Sequence, residues 1–194
     1  MARDASRPLR ADAQRNRDRI LTTAVRVFAE DGLDAHFERI AKEAGVGTGT
    51  LYRNFPTREI LIEAAYRNEL GRLCDAAADL LATMGPREAL RAWMGRVLDF
   101  AIAKRGMADA LGALIASGGD PYGDTRDMML AALSTLRQAG VASGSIRSDI
   151  SPADMLASLA GIALASGEPE QREQAERLLD LTLDGLTAGD RHPS

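Results

Sequence analysis

Apolar residues recur along the chain at intervals of three and four, the spacing that places them on one face of an α-helix. Within residues 15–30 this pattern is carried by Ile20, Ala24, Val27 and Phe28. β-Branched and aromatic residues do not alternate with polar ones over a useful length, so the pattern predicts no strand. We therefore expect an all-α protein.

Glycines, prolines and capping residues divide this pattern into nine predicted helices. Asp31-Gly32 ends the first, Gly45-Val46-Gly47 separates the second from the third, and a Gly- and Ser-rich connection at 140–151 precedes the last two. We expect the first dozen residues and the tail 188–194 to be mobile. The predicted helices cover residues 15–30, 37–44, 48–54, 57–81, 86–104, 107–116, 125–138, 152–166 and 169–187.

The composition indicates an ordinary globular protein, with 45% apolar and 27% charged residues. No apolar run reaches the roughly 18 to 20 residues that span a bilayer, and the N-terminal stretch has no apolar segment typical of a secretory signal. One cysteine and two histidines leave no disulfide framework and little for a metal site. We expect a cytoplasmic protein without a cofactor or metal.

Charge is distributed unevenly, although the net charge is only −4. Residues 1–58 hold 11 basic and 8 acidic residues, whereas the remainder holds 13 basic and 20 acidic ones. Nearly all the basic residues are arginines, which are good bidentate donors to phosphate and to guanine edges, although a GC-rich genome would bias the composition in the same way. The N-terminal third is therefore the part of the chain best suited to a polyanion.

Three interpretations suit the glycine-rich stretch AGVGTGTLYRNF at residues 44–55. A phosphate-binding loop would need a preceding strand and a following Lys-Ser/Thr pair, and the sequence offers neither. A tight helical hairpin would use the glycines for packing alone. A helix-turn-helix fits element by element, with Ala41 and Ala44 facing inward, Gly45 in the turn, and Val46 and Leu51 between the helices.

The third helix carries side chains suited to DNA. Thr48 and Thr50 present short hydroxyls for phosphates or base edges, and Gly49 removes a side chain where DNA would press. Tyr52 and Arg53 are phosphate donors, as is Asn54. Phe55 is better explained as a core aromatic. We predict that this short helix enters the major groove.

Residues 15–63 resemble the DNA-binding domain of the TetR family of transcriptional repressors. The matching positions are Phe28, Gly32, Ile40, Ala41, Ala44, Gly45, Val46, Leu51, Tyr52, Phe55, Arg58 and Glu59. The resemblance implies DNA contacts by Thr48, Gly49, Thr50, Tyr52, Arg53 and Asn54, with Arg58 at the place of a phosphate-binding lysine.

The chain departs from the family's pattern at positions 36, 47 and 54, and Glu38 lies near a site that can face DNA. His36 stands where a capping threonine is common, so it is a weaker cap that can contact phosphate instead. Gly47 replaces a serine and loses one hydroxyl contact, and Asn54 replaces a frequent histidine. Glu38 either accepts from a cytosine amine or points to solvent. We include His36 and Gly47 among the predicted DNA-binding residues.

The resemblance also implies how the chain is organised: a flexible basic arm at 1–14, a helix-turn-helix domain at 15–56, a regulatory and dimerisation domain at 57–188, and a tail at 189–194. Family members dimerise through their last two helices, where an intramolecular core is the alternative for this chain. The candidate dimer residues are Leu156, Ala160, Gly161, Leu164, Leu178 and Leu181.

The middle helices supply candidates for a small-molecule pocket, although apolar residues at helical spacing also suit a plain core. The candidates are Trp93, Arg96, Phe100, Met107, Leu111 and Met128.

Together these features predict a ligand-responsive repressor that binds a pseudo-palindromic operator as a homodimer. Its partners would be double-stranded DNA and a small-molecule effector, with no membrane. A ligand-sensing or scaffold dimer with little DNA binding is the alternative from another class. A small helical enzyme is a third, but the sequence has no catalytic motif, so we predict that the protein is not an enzyme.

Overall fold

The computed structural model describes residues 6–166 and 171–187. Their regular structure is helical, with nine α-helices, one short 3₁₀ helix at Gly32–Asp34 and one isolated bridge between Ile146 and Thr187. The all-α prediction is confirmed. The helices are α1 (Ser6–Asp31), α2 (Phe37–Ala44), α3 (Thr48–Asn54), α4 (Arg58–Thr83), α5 (Pro86–Gly106), α6 (Ala108–Ala116), α7 (Thr125–Ala142), α8 (Pro152–Ala165) and α9 (Arg172–Leu186).

The described residues divide into two compact units. The N-terminal unit contains residues 6–69 and 103–121, and the C-terminal unit contains 70–102 with 122–166 and 171–187. The N-terminal unit therefore includes the beginning of α4 and all of α6, which the sequence interpretation assigned to the second domain.

Each unit has its own apolar core. In the N-terminal unit the faces predicted from the three-and-four spacing turn inward, and the most completely buried side chains are Ile20, Phe28, Ile40, Leu51, Phe55 and Leu61. In the C-terminal unit the core joins α4, α5, α7, α8 and α9 around Trp93, Leu133, Leu136, Leu159 and Leu179. Burial of these faces is the main stabilising term.

Helix α1 begins at Ser6, nine residues before the predicted start. Residues 6–14, which the sequence interpretation placed in a flexible arm, are therefore helical. Pro8 lies in the first turn, where its missing N–H costs nothing, and no glycine interrupts the segment. Hydrogen bonds three or four residues apart, such as Gln14 Nε2 to Asp18 Oδ1 at 2.8 Å, support the helix.

Helix α7 continues through Gly140 to Ala142, past its predicted end near Gln138. Gly140 does not end the helix but lets the side chain of Ile146 pack closely against it, because a Cβ at Gly140 would lie 2.8 Å from Cβ of Ile146. The predicted connection is thus shorter and begins at Ser143. Helix α8 starts with a capping box between Ser151 and Asp154. The predicted start of the last helix, at Pro169, lies outside the described residues.

Ion pairs connect α9 to α5 within the C-terminal unit. Arg91 pairs with Glu176 at 2.7 Å and with Asp180 at 2.5 Å, and Arg87 pairs with Asp184 at 2.8 Å. Because one side of α9 is held in this way and packs on the core, its opposite side is exposed to solvent.

None of the described helices is both long enough and apolar enough to cross a membrane.

Candidate nucleic-acid interface

The turn between α2 and α3 is built on Gly45. Its backbone is left-handed, with φ 66° and ψ 37°, a conformation that glycine adopts at little cost. The N–H of Val46 donates to the carbonyl of Ala41 at 3.0 Å, and the N–H of Gly45 donates to the carbonyl of Lys42 at 3.2 Å. These bonds form a Schellman-type cap, which ends α2 and turns the chain sharply into α3.

Helix α3 has one buried and one exposed face. Leu51 is buried in the N-terminal unit, and Phe55, directly after the helix, is buried with it. Gly47 is the N-cap residue and has no side chain to cap with, so the backbone carbonyl of Gly47 accepts from the N–H of Thr50 at 2.8 Å. The exposed residues include Thr48, Gly49, Tyr52, Arg53 and Asn54, with Thr50 half-buried.

Hydrogen bonds orient the polar side chains of α3. Arg53 Nη2 donates to Thr50 Oγ1 at 3.0 Å, and Asn54 Nδ2 donates to the Thr50 carbonyl at 2.8 Å. The Tyr52 ring, 45% exposed, lies 5.0 Å from the Phe37 ring between centroids. These contacts orient the exposed side chains of α3 in the unbound protein.

Gly49 faces open space, since a Cβ built there meets no atom within 4 Å. The fold therefore does not require glycine at this position. Glycine weakens a helix, and the packing of the fold does not require it at this position. The missing side chain of Gly49 therefore leaves room for a binding partner.

Arg58 points toward the protein. Its Nη1 donates to the Ala35 carbonyl at 3.1 Å and its Nη2 to the Gly32 carbonyl at 2.9 Å, and the guanidinium lies over the Phe28 ring at 5.4 Å. The predicted role in binding phosphate thus competes with a structural one. His36 is exposed and makes no side-chain cap bond, although its carbonyl accepts the N–H groups of Arg39 and Ile40.

An ion-pair network joins α1 to α2. Arg39 pairs with Glu30, Asp31 and Glu43, and Arg26 pairs with Glu30 and Glu43. The arginine hydrogen bonds lower the pKa of Glu30, chiefly through Arg26, and that of Glu43, chiefly through Arg39. The network links α2 to the C-terminal half of α1.

Two arginines of α1 also lie against the helix-turn-helix, and sequence reasoning did not select them. The Arg17 guanidinium lies 4.6 Å from the centroid of the Phe55 ring. Arg19 Nη1 lies 3.8 Å from the place that a Cβ would take at Gly45. The only signal in the sequence was the alternating run Arg15, Arg17 and Arg19.

Comparison with known protein families gives two matches. Residues 20–65 match the family described as bacterial regulatory proteins, tetR family. Residues 85–188, more than half of the chain, match a family described as the C-terminal domain of SbtR-like transcriptional regulators.

Individual proteins agree with the family matches. The TetR transcriptional regulator SCO0520 from Streptomyces coelicolor is 68% identical, with a TM-score of 0.85, over 88% of this chain and 98% of that one. A TetR regulatory protein from Mycobacterium vanbaalenii is 37% identical, with a TM-score of 0.76, over 93% and 99%. An HTH-type transcriptional regulator from Staphylococcus aureus is 41% identical over 63 residues, which are 32% of this chain and 34% of that relative. The chain thus spans about a third of the length of the curated relatives it matches.

Proposed function

Since this chain belongs to the TetR family of helix-turn-helix transcriptional regulators, we propose that it is a repressor that binds a pseudo-palindromic operator as a homodimer and releases it when a small molecule binds. The observation that carries the proposal is the polar, exposed face of α3, which begins directly after the capped turn at Gly45. The proposal includes no catalytic step, and such a regulator acts in the cytoplasm, where chromosomal DNA lies.

In this proposal α3 enters the major groove. Thr48 and Thr50 meet base edges, and Gly49 lets the backbone approach. Tyr52, Arg53 and Asn54 donate to phosphates, and binding exchanges the Arg53–Thr50 hydrogen bond for contacts with DNA.

The residues beside α3 have smaller roles. Gly47 allows the tight approach of the turn, and the exposed imidazole of His36 donates to a phosphate next to α2. Arg58 is left out of the contacts, because its guanidinium already binds two backbone carbonyls.

Exposed apolar residues on α8 and on α9 support dimerisation. Leu164 on α8 is 81% exposed and Leu181 on α9 is 69% exposed, and the exposed Ala160 and Gly161 precede Leu164 on the same side of α8. Large apolar side chains exposed in this way are typical of a surface that another chain covers. Small residues beside them allow two helices to approach closely.

Two of the predicted dimer residues are placed differently. Leu156 is buried in the core of its own unit, so the proposed interface omits it. Leu178 is half-buried against the same core and lies at the edge of the exposed face.

For the effector, we propose a smaller set of contact residues than the sequence predicted. Trp93 is fully buried and its indole N–H donates to the Leu73 carbonyl at 2.8 Å, so its polar group is already satisfied. Met107 and Leu111 belong to the core of the N-terminal unit. Phe100 and Met128 are half-buried beside the C-terminal core and Arg96 is exposed, so these three remain our candidates for effector contacts.

Selection from a library of randomised DNA duplexes tests the proposal. At low salt we expect enrichment of a pseudo-palindrome whose half-sites lie about one or more helical turns apart, at about 10 bp per turn. Failure of the wild-type protein to enrich any sequence would exclude sequence-specific binding.

Variants assign the binding to α3. A Tyr52→Phe/Arg53→Ala variant loses phosphate donors, so we expect weaker binding to every selected sequence. Thr50→Val keeps the shape and a methyl group but loses the hydroxyl, and we expect it to change the preferred base at one position. Arg126→Ala, at an exposed position on α7, is the matched control and should bind as the wild type does.

A further inference from the structure

The first part of α1 continues beyond the packed core of the N-terminal unit. Its first fully buried side chain is Ile20, and none of the described side chains from Asp12 to Arg19 is buried. The helix nevertheless begins at Ser6. Residues 6–16 therefore extend the helix by about 16 Å at 1.5 Å per residue.

Contacts along α1 show where this extension lies. Glu30 pairs with Arg39 near the beginning of α2, and Arg26 pairs with Glu43 near its end. Arg19 then lies beside Gly45, in the turn that follows α2. The two helices run antiparallel, so the residues before Arg17 project beyond this turn, at the end of the unit where α3 begins.

The extension is basic, and its described side chains lie at the surface. Residues 6–19 contain five arginines and two aspartates. Arg15 has 66% of its side chain exposed and pairs with Asp12, which is 62% exposed. Arg19 is exposed and donates to Asn16 on its own helix. Exposed pairs of this kind contribute little stability, so a phosphate can replace the protein partner.

We propose that this extension is a second DNA-binding element, in which Arg15 and Arg19 bind backbone phosphates flanking the sequence that α3 reads. The inference rests on the proposed function, since it requires α3 to bind DNA. Arg15 and Arg19 lie at the base of this projection, beside the turn, so the phosphates within their reach are those just outside the sequence that α3 reads. Arg17, whose guanidinium lies on the Phe55 ring, fixes the base of the projection against the end of α3.

The test uses the duplex obtained by selection, prepared with flanks of either about 2 bp or about 10 bp on each side. For the wild type we expect tighter binding to the long duplex. An Arg15→Gln/Arg19→Gln variant should match the wild type on the short duplex and bind more weakly on the long one. On the long duplex the plot of log K against log salt has a negative slope. The variant's slope should be smaller in magnitude than that of the wild type, by about 0.9 for each phosphate that the variant no longer binds.

A second variant changes the affinity in the opposite direction. Asp12→Asn removes the carboxylate that pairs with Arg15, so we expect tighter binding to the long duplex and no change on the short one. Asp127→Asn, at an exposed position on α7, has the same change of charge as Asp12→Asn, and Arg126→Gln beside it removes a single positive charge; both are controls and should behave as the wild type does on both duplexes. A change of equal size on both duplexes in these controls would mean that net charge alone sets the affinity, and would overturn the inference.

Equal affinity of the wild type and Arg15→Gln/Arg19→Gln on the long duplex would also overturn the inference, as would an equal loss on both duplexes. Neither result affects the role of α3. Loss of all binding by the wild type would instead contradict the proposed function. Circular dichroism of each variant verifies that α1 remains helical.

Discussion

At Gly45 the backbone has φ 66°, where a side chain with a Cβ is strained by about 1–2 kcal/mol. We expect Gly45→Ala to lower the free energy of unfolding by about that amount, because the hydrogen bonds of the turn hold this residue in the left-handed region. Urea denaturation followed by circular dichroism measures the change.

Gly49 is the matched control, since it is helical and a Cβ there meets open space. Gly49→Ala should raise the stability by up to about 1 kcal/mol through helix propensity. It should also weaken DNA binding if α3 enters the groove. A change in stability of the same sign in both variants would contradict this account of the two glycines.

Arg58 gives a second test at the scale of a single residue. Arg58→Met keeps the length of the side chain but removes both donors to the Gly32 and Ala35 carbonyls, so we expect a loss of about 1.5–3 kcal/mol in the free energy of unfolding. Arg53→Met, which loses only a bond to Thr50 within its own exposed helix, should unfold nearly as the wild type does. Weakened DNA binding with unchanged stability in Arg58→Met would restore the phosphate role.

The position of Arg58 could be recognised from the sequence, but the direction of its side chain could not. Its acceptors lie 26 and 23 residues earlier, and the 3₁₀ helix at Gly32–Asp34 brings them together. Sequence spacing identifies neighbours on one helix, whereas this contact depends on how two helices and a short turn pack.

At the scale of elements, the ion pairs between α1 and α2 predict a dependence of stability on pH. The pKa values of Glu30 and Glu43 are lowered in the folded protein, so their pairs stabilise it above the ordinary pKa of about 4.5, and this stability is lost as the pH falls through the lowered values. Arg39→Gln should therefore be less stable than the wild type near neutral pH.

Urea denaturation across a pH series measures this difference, which should shrink below about pH 4.5 as the carboxylates are protonated. It should also shrink in about 1 M salt, where charges on the surface are screened. Arg126→Gln, at an exposed position on α7, serves as the control. An Arg39→Gln deficit that persists at low pH would show that packing, and not charge, is lost.

The existence and order of the helices could be predicted, but two ends could not. Gly140 suggested a break, yet α7 continues because Ile146 packs against the helix where a larger residue would collide. Arg15 was the predicted start of α1 because it lies just over one turn before Ile20, where the apolar pattern begins, while the real start depends on local helix preference and side-chain pairs. The spacing of apolar residues reveals which side chains are buried, so it cannot predict a helical segment that extends into solvent.

At the scale of the whole molecule, the exposed leucines predict an assembly. A Leu164→Glu/Leu181→Glu variant places charges on the proposed interface, so we expect a monomer where the wild type is a dimer, with unchanged helix content. Size-exclusion chromatography with light scattering measures the mass. Affinity for a two-half-site duplex should fall as well.

Ile115 on α6 is the control, because it is 46% exposed but lies in the N-terminal unit. Ile115→Glu should leave the mass unchanged. A monomeric wild type would contradict the proposed dimer directly.

The all-α class followed from apolar spacing along the whole chain, and the kind of regulator followed from the resemblance of residues 15–63, which the family matches bear out. The division of the later helices between core and exposed face did not follow. Leu156 and Leu164 are both leucines on α8, and only the packing of α8 in its unit buries the first and exposes the second.

Trp93 can serve as an intrinsic fluorescence probe. It is the single tryptophan, it is fully shielded from water, and its N–H is bound to the Leu73 carbonyl. Its emission therefore reports on the C-terminal unit alone, while far-ultraviolet circular dichroism reports on both units. A red shift that precedes the loss of ellipticity would show that the C-terminal unit melts first, and the same emission can be used to titrate candidates for the proposed effector without a label.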